Sequence, residues 1–142
     1  GIHGTSATTG NHLSYKDTIF TKVIKGLMVQ GGDLIKDDGS PSSSPNESIF
    51  KDEGKTFPAE NFKLSHSKPY LLAMNGESPN DNGSRFYITF SETKWLDNRH
   101  VVFGEVIDGK ATIDKIAKFQ HLSLFTKLFG KMLTKKLIGT LI

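Results

Sequence analysis

Short apolar segments run along this chain and are separated by polar or glycine-containing turns. The segment 15–23 contains the β-branched residues Ile19 and Val23, and the segment 27–35 follows a turn at Gly26, so both are predicted to be strands. Three further short apolar segments, 70–74, 86–90 and 100–106, are predicted to be strands for the same reason. Several short strands with glycine turns and little helix indicate a mainly β fold, either a barrel or a sandwich.

Helical spacing is limited to the last third of the chain. Apolar residues at Ile113 and Ile116 predict a short helix over 111–119. The C-terminal segment 119–142 leaves two interpretations open. It has the pattern of a basic amphipathic helix, which would suit a membrane surface or a partner groove, but residues 135–142 could instead form a closing strand.

A polar stretch over 37–60 contains three prolines and few apolar residues, which indicates a long surface loop. With 142 residues, of which 36% are hydrophobic, the chain has the size of one domain around one core. We therefore expect a single domain over 1–142.

Composition narrows the classes of function. The formal net charge is +3, but Lys and Arg are spread along the chain, which favours a solvated surface over a nucleic-acid interface. No run approaches the roughly 18 apolar residues of a membrane helix, and the first twenty residues do not resemble a signal peptide. We expect a cytoplasmic protein without membrane contact, although the start at Gly1 in place of a methionine leaves the compartment open.

No cysteine is present, which excludes disulfides, thiolate nucleophiles and cysteine metal sites. The histidines outside the motifs below have no metal-ligand spacing and are predicted to be surface or structural residues: His3, His12, His66 and His121. These residue types therefore give no indication of a metal site.

Four linked motifs carry the strongest functional signal. They are Phe20-Thr-Lys-Val-Ile-Lys-Gly-Leu-Met-Val-Gln-Gly-Gly-Asp33, Phe57-Pro-Ala-Glu-Asn-Phe62, Asn80-Asp-Asn-Gly-Ser-Arg-Phe-Tyr-Ile-Thr89 and Trp95-Leu-Asp-Asn-Arg-His-Val-Val-Phe-Gly104. In this order they resemble the cyclophilin-type peptidyl-prolyl isomerases, and the resemblance covers about 15–119. One motif alone would be weak, but four in the same order argue against chance agreement.

The resemblance implies an eight-stranded antiparallel barrel capped by two helices, which needs no metal or cofactor. Members of that family begin with two strands and a helix before the segment that resembles residue 15 onward. We therefore expect a cyclophilin-like antiparallel barrel with one or two short helices that is incomplete at its N-terminus, and that exposes sheet edges unless another segment or chain covers them.

The chemistry implied by the resemblance is rotation about an X-Pro bond, whose intrinsic barrier is roughly 18–20 kcal/mol. No bond is made or broken, so catalysis requires tighter binding of the twisted transition state than of either planar isomer. The family uses an arginine as a donor to the prolyl nitrogen, and Lys22 stands at that position. Gln30 matches the glutamine that contacts the substrate backbone and steadies the cation.

Lysine keeps the charge of arginine but loses its planar fork of donors. The loss of one charge-assisted hydrogen bond costs roughly 1.5–3 kcal/mol, which predicts a rate about tenfold to a hundredfold lower.

The resemblance also assigns a proline pocket and its rim. Core packing is the alternative interpretation for each of its members, which are Leu27, Met28, Tyr87, Leu96 and His100. Tyr87 stands where the family has a phenylalanine, so its hydroxyl must find a partner if it is buried. Leu27 replaces an aromatic residue, which should make that wall of the pocket less rigid.

Three further positions border the implied groove. Trp95 matches the residue that shapes one side of the groove and helps to bind cyclosporin in many family members. Gly76 replaces an asparagine whose backbone receives the substrate, so the backbone contact is kept but rigidity is expected to fall. Arg85 replaces a glutamine beside the neighbouring pocket and adds a cation that would favour an acidic residue before or after the proline.

These residues predict a divergent cyclophilin-like domain that binds proline-containing segments of proteins and assists folding as a peptidyl-prolyl isomerase of reduced activity. The alternative is a catalytically silent module that binds proline peptides or forms part of a larger assembly. A nucleic-acid or membrane binder that uses the basic C-terminal end is a third class, and it is the least supported.

Overall fold

A computed structural model describes residues 5, 14–15, 18–32 and 56–119. Most of the predicted surface loop over 37–60 lies outside the described residues. So does the choice between helix and strand after residue 119. No helix of the described part is long and apolar enough to cross a membrane.

The described residues form a mainly β fold. Five strands make one antiparallel sheet with the order β1-β2-β4-β3-β5, and their bounds are Lys22–Ile24 (β1), Met28–Gly31 (β2), Leu71–Met74 (β3), Phe86–Thr89 (β4) and Val102–Glu105 (β5). A short 3-10 helix, Lys94–Leu96, precedes β5, and the helix α1, Lys110–Ala117, follows it. Within the described residues the sheet is not closed, and β1 and β5 form its edges.

The first predicted strand was wrong at its N-terminal end, because the strand begins at Lys22 and not at residue 15. The Thr18 hydroxyl donates to the carbonyl oxygen of Tyr15 over 2.8 Å, and the Thr18 N–H donates to the same oxygen over 3.2 Å. A local side-chain bond of this kind offers the backbone an alternative to a strand ladder. The other four predicted strands and the helix are confirmed, and their ends agree within two residues with one exception. β2 ends at Gly31 whereas the predicted strand ran to residue 35, and residues 33–35 lie outside the described part.

The turn predicted at Gly26 joins β1 to β2 in a hairpin. Gly26 has a φ of 75°, and the Leu27 N–H donates to the carbonyl oxygen of Ile24 over 3.0 Å. A three-residue hairpin loop commonly needs one residue with left-handed backbone, and glycine adopts it without steric cost. The turn therefore fixes the register in which Ile24 pairs with Met28.

The two faces of the sheet have different roles. Side chains on one face pack against α1 and form the larger core, which consists of Phe20, Val29, Leu72, Phe86, Ile88, Val106, Ile113 and Ile116. Side chains on the other face form a smaller cluster of Leu71, Ala73, Tyr87 and Val102, with Met28 and Leu96 packed against it. Because successive strand residues point to opposite faces, one set of strands builds both the core and the surface that carries the predicted site.

One end of the sheet is held by side-chain bonds. The ring of Tyr15 meets that of Phe86 edge to face at 5.3 Å, and its hydroxyl donates to the carbonyl oxygen of Ser84 over 2.7 Å. The Ser84 hydroxyl in turn donates to the carbonyl oxygen of Gly32 over 2.7 Å. Burial raises the pKa of Tyr15 to about 12, so this hydroxyl remains a donor at neutral pH. These bonds fix the loop that leads into β4.

Candidate active site

One row of directly opposed residues crosses all five strands on the face that carries the smaller cluster. Gln30 lies opposite both Lys22 and Tyr87, and Ala73 lies opposite both Tyr87 and Val102. Neighbouring strands are about 4.8 Å apart, so the backbone of Lys22 is about 10 Å from that of Tyr87. The predicted cation, amide and pocket floor are therefore adjacent on one face.

Lys22 and Gln30 differ in their access to solvent. Lys22 is exposed on β1, the edge strand of the described sheet, while Gln30 is half-buried on β2. The carbonyl oxygen of Gln30 accepts a hydrogen bond of 2.9 Å from the Thr21 N–H, which holds the strand end beside Lys22. An exposed ammonium next to an amide can donate to a lone pair on a peptide that lies over this face.

Apolar side chains surround Tyr87. Met28 and Leu96 are partly buried and pack against the cluster that contains it. Leu27 is half-buried in the β1–β2 turn. The structure brings Met28, Leu96 and Tyr87 together as the sequence predicted, and it leaves Leu27 at the hairpin end of β2.

His100 packs beside Tyr87 on the same face. Its Nδ1–H donates to the carbonyl oxygen of Met74 over 3.1 Å, and its ring meets Tyr87 edge to face at 5.5 Å. Burial lowers the pKa of His100, which favours the neutral imidazole at physiological pH. A neutral ring held by a backbone carbonyl suits contact and hydrogen bonding, and isomerisation needs no proton transfer.

Tyr87 is 1% exposed, and its hydroxyl lies 2.8 Å from Nε2 of His66. The two rings are stacked, with planes 14° apart and centroids 6.1 Å apart. The prediction that the buried hydroxyl needs a partner is confirmed. His66 is fully buried and structural, but sequence reasoning did not connect it with the pocket. The only sign of this contact in the sequence was that a buried Tyr87 hydroxyl needs a partner, and this need does not identify a residue 21 positions away.

Asp97 joins the segment that carries Trp95 and Leu96 to His66. Its carboxylate accepts hydrogen bonds from the His66 N–H over 2.8 Å, from His66 Nδ1–H over 2.7 Å and from the Ser65 hydroxyl over 2.6 Å. Burial alone would raise the pKa of Asp97, but these three donors outweigh it and lower the pKa to about 2. Trp95, in the 3-10 helix, is 66% exposed and is free to contact a ligand.

Gly76 lies in a compact loop that faces the start of β4. A Cβ atom at Gly76 would overlap the carbonyl group of Asp81, so this backbone approach requires glycine. The Asp81 N–H donates to the carbonyl oxygen of Ser78 over 3.1 Å, and Asn82 Nδ2 donates to that of Pro79 over 2.9 Å. The glycine thus permits tight packing of the loop, whereas its flexibility alone had suggested a less rigid loop.

Arg85 precedes β4 by one residue, and alternation places it on the same face as Tyr87. Its carbonyl oxygen accepts a hydrogen bond of 3.0 Å from the Asn75 N–H. The side chain is half-buried, and its Nε is buried without a hydrogen-bond partner among the residues that the structure describes. Arg85 therefore adds a partly exposed cation to this face.

Over 18–32 and 56–119, no group of three or more His, Asp or Glu side chains is arranged to hold a metal ion. The described face instead combines an exposed ammonium, an amide and a cluster of apolar side chains.

Comparisons with known proteins agree with the likeness inferred from the four motifs. Residues 5–130 match the sequence family described as "Cyclophilin type peptidyl-prolyl cis-trans isomerase/CLD". A relative from Encephalitozoon cuniculi (strain GB-M1), named "Peptidyl-prolyl cis-trans isomerase", is 45% identical over 105 residues. That alignment covers 74% of this chain and 57% of the relative, so the chain spans little more than half the length of that protein.

Proposed function

Because this chain belongs to the cyclophilin-type peptidyl-prolyl cis-trans isomerase family, we propose that it isomerises X-Pro bonds in peptides and proteins. The observation that supports this proposal most directly is the cross-strand row in which Gln30 lies between Lys22 and Tyr87. The row provides a cationic donor, an amide and an apolar pocket floor in reach of one proline residue.

The proposed mechanism follows from the electronic structure of the twisted bond. Rotation breaks the amide resonance and leaves a lone pair on the prolyl nitrogen, to which the Lys22 ammonium donates a hydrogen bond. Gln30 binds the substrate backbone and limits the positions that the ammonium adopts. The proline ring sits over Tyr87, and Met28, Leu96 and His100 form the walls. Contacts that strengthen only in the twisted state lower the barrier.

Lysine at position 22 implies a slower enzyme than one with arginine. An ammonium is a strongly hydrated point charge on a flexible stem, whereas a guanidinium presents a rigid fork. A rate about tenfold to a hundredfold lower corresponds to the loss of one charge-assisted hydrogen bond of about 1.5–3 kcal/mol.

Proline-containing segments of folding proteins are the proposed substrates, and cyclosporin is a proposed ligand of the same groove. Trp95 supports the second proposal because a mostly exposed tryptophan at the groove edge offers a large apolar surface and one N–H donor.

The experiment compares two matched lysine variants of the 142-residue chain by NMR exchange spectroscopy on a proline tetrapeptide. Lys22→Ala should lower kcat/KM by at least tenfold, because it removes the donor. Lys25→Ala changes an equally exposed lysine in the hairpin turn and should leave turnover unchanged. Turnover that is equal in the wild type and in Lys22→Ala would overturn the role of Lys22. Binding of the peptide by the wild type without any acceleration would support the silent binding module instead.

A further inference from the structure

We propose that His66 and Asp97 are positioning residues, which hold the pocket floor Tyr87 and the Trp95–Leu96 segment as one unit. The inference rests on the proposed function for its effect on turnover. Its effect on peptide binding can be measured whether or not the chain is an isomerase.

The backbone of His66 holds the Trp95–Leu96 segment at both of its ends. On one side, the Thr93 N–H donates to the carbonyl oxygen of His66 over 2.9 Å. On the other side, the His66 N–H donates to Asp97 Oδ1 over 2.8 Å. A displacement of Trp95 or Leu96 relative to residue 66 would therefore break at least one of these bonds.

The side chain of His66 connects this segment to the pocket floor. A carboxylate only accepts hydrogen bonds, so the 2.7 Å contact with Asp97 Oδ1 places a proton on Nδ1 of His66. In the neutral ring Nε2 is then an acceptor, and the Tyr87 hydroxyl donates to it over 2.8 Å. Asp97 thereby selects the tautomer that receives the hydroxyl of Tyr87.

Burial protects these hydrogen bonds from competition with water. His66 and Tyr87 are 0% and 1% exposed, so water cannot replace either bond without a rearrangement of the cluster. The hydroxyl tethers the far end of the Tyr87 ring, whereas a phenylalanine there would be free to tilt. If the Tyr87 ring is already held in place, it loses less conformational freedom when a proline ring binds.

The test is a double-mutant cycle with Tyr87→Phe and Asp97→Ala, because Asp97→Asn would keep an amide oxygen as acceptor for His66. Binding of a proline tetrapeptide is followed by the fluorescence of Trp95, the single tryptophan of the chain. Each single variant should raise Kd roughly three- to tenfold, as expected for the loss of one buried hydrogen bond. The double variant should be no weaker than the worse single variant, because both changes interrupt the same connection.

Tyr70→Phe is the matched control. It also removes a hydrogen-bonded tyrosine hydroxyl, since Tyr70 donates to Asp114 over 2.9 Å, but Tyr70 packs against the core on the other face of the sheet. Its Kd should equal that of the wild type. Effects of Tyr87→Phe and Asp97→Ala that add in the double variant would overturn the proposal, as would a loss of thermal stability in Tyr87→Phe with an unchanged Kd.

The tautomer of His66 gives a second readout that a purely structural role would not change. The imidazole ¹⁵N shifts should show a protonated Nδ1 in the wild type and in Tyr87→Phe. Asp97→Ala removes the acceptor of the Nδ1–H bond, so the proton is no longer fixed on Nδ1 and part of the rings should carry it on Nε2. A protonated Nε2 in the wild type would overturn the proposed direction of the bonds. If Asp97→Ala does not fold, the wild-type shifts and the Kd of Tyr87→Phe still decide the outcome.

Discussion

Lys22 lies directly opposite Gln30 across the β1–β2 ladder, and both side chains project from the face that carries Tyr87. Directly opposed residues of antiparallel strands have Cα atoms about 4.5–5.5 Å apart. The cation is therefore held beside its amide by backbone pairing, although its own side chain is exposed. This arrangement should tolerate a change of the cation without a change of fold.

Lys22→Arg should raise kcat/KM by about tenfold, and at most about a hundredfold, because a guanidinium can make the two-pronged contact that an ammonium lacks. The gain should appear mainly in kcat, since the additional bond forms in the twisted state. NMR exchange spectroscopy on a proline tetrapeptide measures it.

Lys25→Arg is the control for this gain, since it makes the same change in the hairpin turn and should leave both constants unaltered. A Lys22→Arg variant whose turnover equals that of the wild type would show that the form of the cation does not limit the rate.

Gly76→Ala should lower the free energy of unfolding by about 1–3 kcal/mol, because its methyl group would overlap the backbone of Asp81 and the loop would have to move. Urea denaturation followed by circular dichroism measures the change. Gly104→Ala is the matched control, because the nearest atom to its added Cβ is 3.9 Å away and the substitution should stay within about 0.5 kcal/mol of the wild type. Equal stability of the two variants would mean that the loop around Gly76 adapts without cost.

Arg85 should give the groove a preference for an acidic residue next to the proline. Two peptides that differ only by Glu or Gln beside the X-Pro bond test this preference, and the Glu peptide should bind about two- to fivefold tighter. The difference should shrink with added salt and disappear in Arg85→Gln, which keeps a polar side chain without the charge. A difference that persists in Arg85→Gln would assign the preference to another cation.

Asp97 should contribute to stability above about pH 4 and lose that contribution in acid. Its pKa is lowered from about 3.9 in an unfolded chain to about 2 in the folded protein, so the folded state favours the carboxylate. Stability from this group is complete above the unfolded value and is lost as the pH falls toward the folded value. The free energy of unfolding of the wild type should therefore fall by about 1 kcal/mol more than that of Asp97→Asn between pH 5 and pH 3.

Ser65→Ala should reduce this acid-dependent contribution, because it removes the bond to Asp97 Oδ2. Ser91→Ala removes a serine hydroxyl that donates to the carbonyl oxygen of Gly26, a group that does not titrate, and should keep the wild-type pH dependence. Identical acid profiles for the wild type and Asp97→Asn would contradict the lowered pKa.

The strands could be predicted from the sequence because each has its own apolar pattern and turn residues. Alternation determines which side chains of one strand share a face, and the resemblance to the cyclophilin family grouped Lys22, Gln30 and Tyr87 across strands before their pairing was known. The start of β1 could not be predicted from the apolar pattern. The Thr18 side chain hydrogen-bonds to the nearby carbonyl oxygen of Tyr15, and Phe20 is buried in the core although it lies outside the strand ladder.

The network behind the pocket could not be predicted, because it depends on distances between segments that are remote in sequence. His66 has no motif of its own, and its bonds to Tyr87 and Asp97 span 21 and 31 residues. The close approach at Gly76 was hidden for a similar reason. A single sequence shows that glycine is flexible there, and only the position of Asp81 shows that a side chain would not fit.

The pairing of β2 with β4 joins residues such as Gln30 and Tyr87 that are 57 positions apart. The entropy of closing a loop grows only with the logarithm of its length, so that each doubling costs about 0.6 kcal/mol. Insertions or deletions between β2 and His66 consequently cost little in loop closure, whereas His66, β3 and Gly76, which lie in the same interval, make specific contacts that a change of length would disturb.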